Sequence, residues 1–431
     1  MAATDRALSP FLAGLVAGAA AAVLTRAIVR PRRTFDPRLL RRKRSDVTPV
    51  VLVPGVLGSG LHRPDGTQVW LSMQNALRHH DLQLPLRLPL TDSRDELVPG
   101  ALLGTRALMP RLFGFTEYAE LVEVLEQAGF RERKRAPRYH VFAYDWRRDV
   151  VEAARNLGAT LDALAEARGE PDARFSMIGH SMGGLVARYY LRYGTAEPGG
   201  PVTWAGARRI RTLVLAVSPN GGSIPALEAI LTGERVGLST TTLAPEVIAR
   251  MPSMYQLMPP AGTHPLLSPK LEPLSDDLHD VATWQRHGWG PYAPGFASPE
   301  LELEREYLAT VLARARELHD ALARPVESPC PIPVLLLGGD CLPTLARAVV
   351  GERPGPPRFE AITDADAEAM FEAGDGRVTR ASVLAAHLPS DPVTEAGMPE
   401  VTRAVFGSAD HHGIYGEPTF QSLLVRALLR V

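Results

Sequence analysis

The sequence predicts an α/β fold, a mostly parallel sheet flanked by helices, with an inserted cap region. Three observations predict it. Short aliphatic and β-branched runs, at 50–53, 140–147, 211–217 and 331–339, alternate with stretches of helical apolar spacing such as 151–168. A further apolar run from Phe175 ends in Gly179-His180-Ser181-Met182-Gly183 and passes straight into the helix-like Leu185–Arg192. Residues 224–330 then break the alternation, being Pro-rich and without a convincing strand.

At 431 residues the chain exceeds a minimal α/β domain, so one large domain with insertions, or two domains, is expected. The spacing divides it into an N-terminal apolar segment with a basic stretch (1–47), a first core part (48–223), a cap or lid insertion (224–330) and a second core part (331–431). Hydrophobic content of 45% and charged content of 22% are ordinary for a globular protein, and a net charge of −1 gives no footing for nucleic acid. The two cysteines, Cys330 and Cys341, straddle an extended run. That run spans roughly 35 Å, against the ~7 Å limit for a disulfide, so no bridge is expected between them. No Cys/His group has zinc spacing, and no metal or organic cofactor is implied.

At the N-terminus, nineteen uncharged residues from Ala7 to Thr25 precede nine basic residues between Arg26 and Arg44. As a helix the apolar stretch would cover about 28 Å, close to a bilayer's hydrocarbon core. It reads as a signal-anchor helix, a cleaved signal peptide or an amphipathic peripheral segment. Membrane association is the expectation, and the arginines on its distal side would keep the rest of the chain cytoplasmic rather than secreted or periplasmic.

Folded structure begins near Thr48. Val50–Val53 runs into Pro54-Gly55-Val56-Leu57-Gly58-Ser59-Gly60, a Gly-rich loop whose backbone N–H groups can face a developing negative oxygen. The elbow at 179–183 presents Ser181 on a sharp strand-to-helix turn, which makes it the candidate nucleophile. Val56 and Met182, the residue after the nucleophile, are the candidate oxyanion donors. The cap carries Met, Leu and Tyr between 248 and 258, expected to be exposed toward an apolar substrate. Chain order Ser, Asp/Glu, His leaves two acids: Asp340, directly after a strand and slightly favoured by topology, and Asp375, in a Gly-Asp-Gly turn. The base is His411 or His412, before the helix-like 419–429, with His387 as the outsider.

Five stretches resemble the lecithin:cholesterol acyltransferase family in a bacterial-type member: Val53–Leu61, Tyr144-Asp145-Trp146-Arg147, Gly179–Leu191, Pro252–Pro259 and Gly374–Val378. The resemblance implies an α/β-hydrolase with a capped site that cleaves or transfers acyl chains of lipids. It moves the acid to Asp375, prefers His411 as base, and supports Val56 and Met182 as oxyanion donors. Arg377 stands where a threonine is common. Residues 62–95 hold Trp70, Leu71 and Met73 but no cysteine, unlike the disulfide-tied loop of secreted animal members, so a cholesterol acceptor is not carried over. The expectation is a serine-dependent lipid acyl hydrolase or O-acyltransferase working through an acyl-enzyme. Its rivals are a carboxylesterase for small soluble esters and an inactive membrane-tethered binding protein.

Overall fold

The structure is a computed structural model that describes residues 48–70, 82–102, 117–130, 138–235, 242–389 and 397–429. The N-terminal apolar segment and basic stretch lie outside the described residues, as do Leu71 and Met73. Among the described residues, no helix is long and apolar enough to cross a membrane.

Among the described residues, six strands form the main sheet: β1 (Val50–Val53), β2 (Tyr139–Val141), β3 (Phe175–His180), β4 (Ile210–Ala216), β5 (Val334–Gly339) and β6 (Arg403–Gly407). All pairings are parallel, in the order β6-β5-β4-β3-β1-β2. The inner strands β1, β3 and β5 are buried along their whole length, as expected for parallel strands covered on both faces. Alternate side chains go to opposite faces. Val51, Met177 and Leu336 pack with helices α2 (Val150–Ala167), α3 (Met182–Tyr193) and α6 (Leu301–Ala323). Val50, Ile178 and Leu337 pack with α1 (Glu117–Gln127) and α7 (Pro418–Leu429).

Two sequence expectations need correction. The run at 140–147 forms only a three-residue edge strand, β2. Its distal half leaves the sheet because the Asp145 carboxylate caps a turn, accepting from Arg147 N–H at 3.1 Å while Arg148 N–H reaches Asp145 O at 3.2 Å. The apolar residues of 251–258 are not exposed either: Met251, Met254, Tyr255, Leu257 and Met258 are all buried. Met254 and Tyr255 belong to helix α5 (Pro252–Gln256), which packs on α6, and the other three flank it. Among the described residues, the rest of the segment between β4 and β5 holds α4 (Ile224–Thr232), three further short helices and two-residue strands.

Polar side chains dock this segment on the core. Gln256 Oε1 accepts from Val150 N–H at 2.8 Å and its amide donates to Asp149 at 2.6 Å, the residue that N-caps α2. Arg147, with its side chain fully buried, holds the neighbouring loop through bidentate pairs to Asp95 and Asp145 at 2.6–2.9 Å.

Candidate active site

The site lies at the carboxyl ends of β1, β3 and β5. β3 turns into α3 at Ser181, whose φ of 52° and ψ of −125° place a non-glycine residue in a strained conformation. The close approach of strand and helix requires glycine at 179: a Cβ there would stand 2.6 Å from Gly184 Cα. Gly55 is required for a similar reason, since a Cβ on it would meet Ser181 Cβ at 2.9 Å. The Gly-rich loop after β1 therefore lies directly against the serine. Its later part does not remain a loop: Ser59–His62 pairs with Gln68–Trp70 and Val98–Leu102 in a small antiparallel sheet. Neither Val56 N–H nor Met182 N–H donates to a protein acceptor among the described hydrogen bonds.

Ser181, His411 and Asp375 are joined in one hydrogen-bonded chain. His411 Nε2 lies 3.1 Å from Ser181 Oγ, and His411 Nδ1 lies 2.9 Å from Asp375 Oδ2. The second Asp375 oxygen accepts from Val378 N–H at 2.7 Å and Arg377 N–H at 2.9 Å, and its backbone carbonyl accepts from His411 N–H at 2.9 Å. The three residues are 8%, 8% and 1% exposed in the order Ser181, His411, Asp375, so Asp375 is sealed inside while Ser181 and His411 reach the cavity. His412 lines the same cavity and abuts His411, ring to ring at 5.5 Å. Asp340 pairs with Arg380 at 2.7 Å, and His387 lines a different cavity, beside Gly221 and Ser382.

A cavity of ≈ 940 Å³, including its open mouth, runs from Ser181 between the Gly-rich loop and the segment after β4. Its walls are mainly apolar, with Trp146, Ala229, Leu243, Ile248, Met251 and Met254 among them. One ion pair joins the lining, Arg377 to Glu234 at 2.6 Å. Arg377 thus reaches across from the Gly374-Asp375-Gly376 turn to the hairpin that follows α4.

Sequence reasoning missed Tyr118 and the role of His180. Tyr118 Oη accepts from Gly55 N–H at 2.8 Å and lies 2.9 Å from His180 Nδ1. Burial, reinforced by the charges that His411 and His412 can carry, holds the His180 imidazole well below the usual histidine range. A neutral ring therefore stands beside His411. Tyr118 is 63 residues from Gly55 and belongs to no motif, so only the packing of α1 reveals it.

Residues 107–289 match the model of the lecithin:cholesterol acyltransferase family. Among solved structures, a chain of the Tle4–Tli4 complex aligns with a TM-score of 0.53 at 14% identity, over 89% of this chain and 98% of that one. The Staphylococcus hyicus lipase aligns at TM-score 0.39 and 13% identity, over 93% of this chain and 98% of the lipase. The propeptide form of the Bacillus licheniformis lipase BlEst2 aligns at TM-score 0.41 and 11% identity, over 91% and 52%. No curated protein matches the sequence. The fold is that of the α/β-hydrolases, and the family match over residues 107–289 supports an acyltransferase or lipase-type hydrolase.

Proposed function

We propose that this acyltransferase- or lipase-type enzyme acts on ester lipids through an acyl-enzyme on Ser181. His411 Nε2 takes the Ser181 proton as Oγ adds to the ester carbonyl. The imidazolium so formed is stabilised and oriented by the Asp375 carboxylate. The carbonyl oxygen, now negative, is received by the N–H groups of Val56 and Met182, each such donor lowering the barrier by about 3 kcal/mol. Collapse breaks the C–O bond to the alcohol, which leaves with the proton from His411. Water or a second alcohol then adds to the acyl-enzyme, giving its proton to His411, and Ser181 is released. The hydrolase and the transferase share every step but the acceptor.

The observation that carries this reading is the 3.1 Å contact of His411 Nε2 with Ser181 Oγ at the floor of an apolar cavity. We assign residues 224–330 as the cap over that cavity. We further assign the N-terminal segment as membrane-associating, with the catalytic part cytoplasmic. Removing residues 1–47 should then move the enzyme from the membrane to the soluble fraction with Ser181 still reactive.

The reading is tested by labelling with a long-chain fluorophosphonate, followed by chain-length profiling of esters with and without vesicles. Labelling that disappears in Ser181→Ala, long-chain preference and vesicle activation are expected. Short-chain preference without activation would make it a carboxylesterase for small soluble esters. An unlabelled but folded wild type would make it a binding protein on a hydrolase fold.

A further inference from the structure

The peptide unit that precedes the oxyanion loop is held at both of its polar ends by tyrosine hydroxyls. Tyr144 Oη donates to Pro54 O at 2.8 Å, and Gly55 N–H donates to Tyr118 Oη at 2.8 Å. Because Pro54 C=O and Gly55 N–H belong to one planar peptide, the two phenols fix the orientation of that plane. The next peptide is fixed as well. Gly55 O accepts from Gly58 N–H at 3.1 Å across a tight turn in which Leu57 has φ of 64°. Val56 N–H lies in the plane of that carbonyl and on its opposite edge. Its direction therefore follows from how Gly55 is held.

The Tyr118 hydroxyl reaches a second element. An amide can only donate, so Oη is an acceptor toward Gly55, and its hydrogen is available for His180 Nδ1 at 2.9 Å. His180 immediately precedes Ser181. A single buried oxygen thus ties the residue before the loop's donor to the residue before the nucleophile. The Tyr118 ring also packs edge-on against His180, with centroids 5.2 Å apart. Both tyrosines are buried, at 1% and 3% exposed, so no water competes for these bonds.

We propose that Tyr118 and Tyr144 are positioning residues that clamp the Pro54–Gly55 peptide, aim Val56 N–H at the developing oxyanion, and fix the loop's register against Ser181. This rests on the acyl-enzyme reading above. The clamp acts on the transition state and not on the bound ester, because the two phenol oxygens are engaged by Pro54 O, Gly55 N–H and His180 Nδ1.

The test is Tyr118→Phe and Tyr144→Phe, each removing one oxygen while the ring stays, assayed on a soluble long-chain ester. Turnover is normalised to Ser181 titrated to completion with fluorophosphonate, so partial misfolding does not enter. The expected result is a kcat lowered by about 10- to 100-fold with KM within about twofold, because a misdirected donor loses part of the ~10²–10³ that one such donor contributes. Affinity for an alkyl boronic acid, whose adduct with Ser181 is tetrahedral, should fall in step with kcat/KM. Affinity for a non-hydrolysable ether analogue should not change. A role in stability alone would lower the melting temperature and leave the kcat of titrated enzyme at the wild-type value; that result would overturn the clamp. If wild-type Ser181 is not labelled, the acyl-enzyme reading fails and the clamp fails with it. If wild type is labelled and turns over but both variants match it, the clamp alone is wrong.

Discussion

Asp375 and Asp340 reach the same corner of the molecule with different partners. The end of β5 is the place where this architecture takes an acid, and Gly339 there lies against Asp375, whose Cβ would be 2.9 Å from a Cβ on that glycine. Asp340, next in the chain, turns instead to Arg380, which is half exposed. Topology pointed to this corner of the molecule but not to Asp375, whose carboxylate reaches His411 from a turn 35 residues further along. Only the Gly-Asp-Gly resemblance singled out Asp375, because nothing in local spacing says which turn folds back onto β5. The two aspartates should separate in kinetics. In Asp375→Asn the side-chain oxygen must stay toward the N–H groups of Arg377 and Val378, leaving the amide NH₂ to face His411 Nδ1. His411 then carries its hydrogen on Nε2 and cannot take the Ser181 proton, so kcat should fall on the order of 10⁴-fold. Asp340→Asn removes a surface ion pair worth about 1 kcal/mol or less, and its kcat should stay within about twofold of wild type. Steady-state kinetics of the two variants on one ester decides between them.

At the scale of elements, legibility followed burial. β1, β3, β4 and β5 could be read because parallel strands covered on both faces are continuous apolar runs, as in Val334-Leu335-Leu336-Leu337. β2 was over-read: Tyr144 and Trp146 are apolar and buried, but they pack beneath the Gly-rich loop rather than continuing an edge strand. The segment after β4 was legible as an interruption and not as an arrangement. Its short helices are placed by tertiary bonds such as Gln256 to Asp149, which no local pattern announces. The strand–turn–helix at Ser181 was the most legible of all, because its glycines answer a backbone contact that has no alternative. Gly179→Ala would press a methyl group against the backbone of Gly184, where no rotamer can relieve it. The expected cost is about 2–4 kcal/mol or failure to fold, read as a lowered urea midpoint. Near-wild-type stability in that variant would mean that α3 can retreat from β3.

For the molecule as a whole, stability should depend on histidines kept neutral inside it. His180 and His319 are held well below the usual range, each chiefly by burial, His180 further by His411 and His412 and His319 by His279 and His387. His387 is lowered to about 4, by burial and then by the nearby Arg188. That arginine belongs to a buried group in which Glu400 pairs with Arg188 at 2.5 Å and Arg192 at 3.2 Å, joining α3 to the chain just before β6. The charge belongs to the fold: Glu400→Gln would leave two guanidiniums unpaired in the interior and cost about 3–5 kcal/mol. The sign of the pH effect follows from the lowered histidines. Above pH ~6.5 both folded and unfolded chains hold them neutral and they contribute no pH dependence. As pH falls from there toward 4, the unfolded chain takes up protons that the folded one refuses, so stability is lost across that window. His387 is only part-buried, and its own share is discounted for solvent to about 1–2 kcal/mol. Asp277, lowered to about 2 chiefly by its hydrogen bond with His279, acts in a separate window below pH ~4, so the two contributions can be told apart. Urea midpoints measured from pH 7 to 4.5 should therefore fall steadily, and His387→Gln should flatten the slope. A midpoint that holds level to pH 4.5 would mean that these histidines gain protons inside the fold, and that the interior around Arg188 admits water.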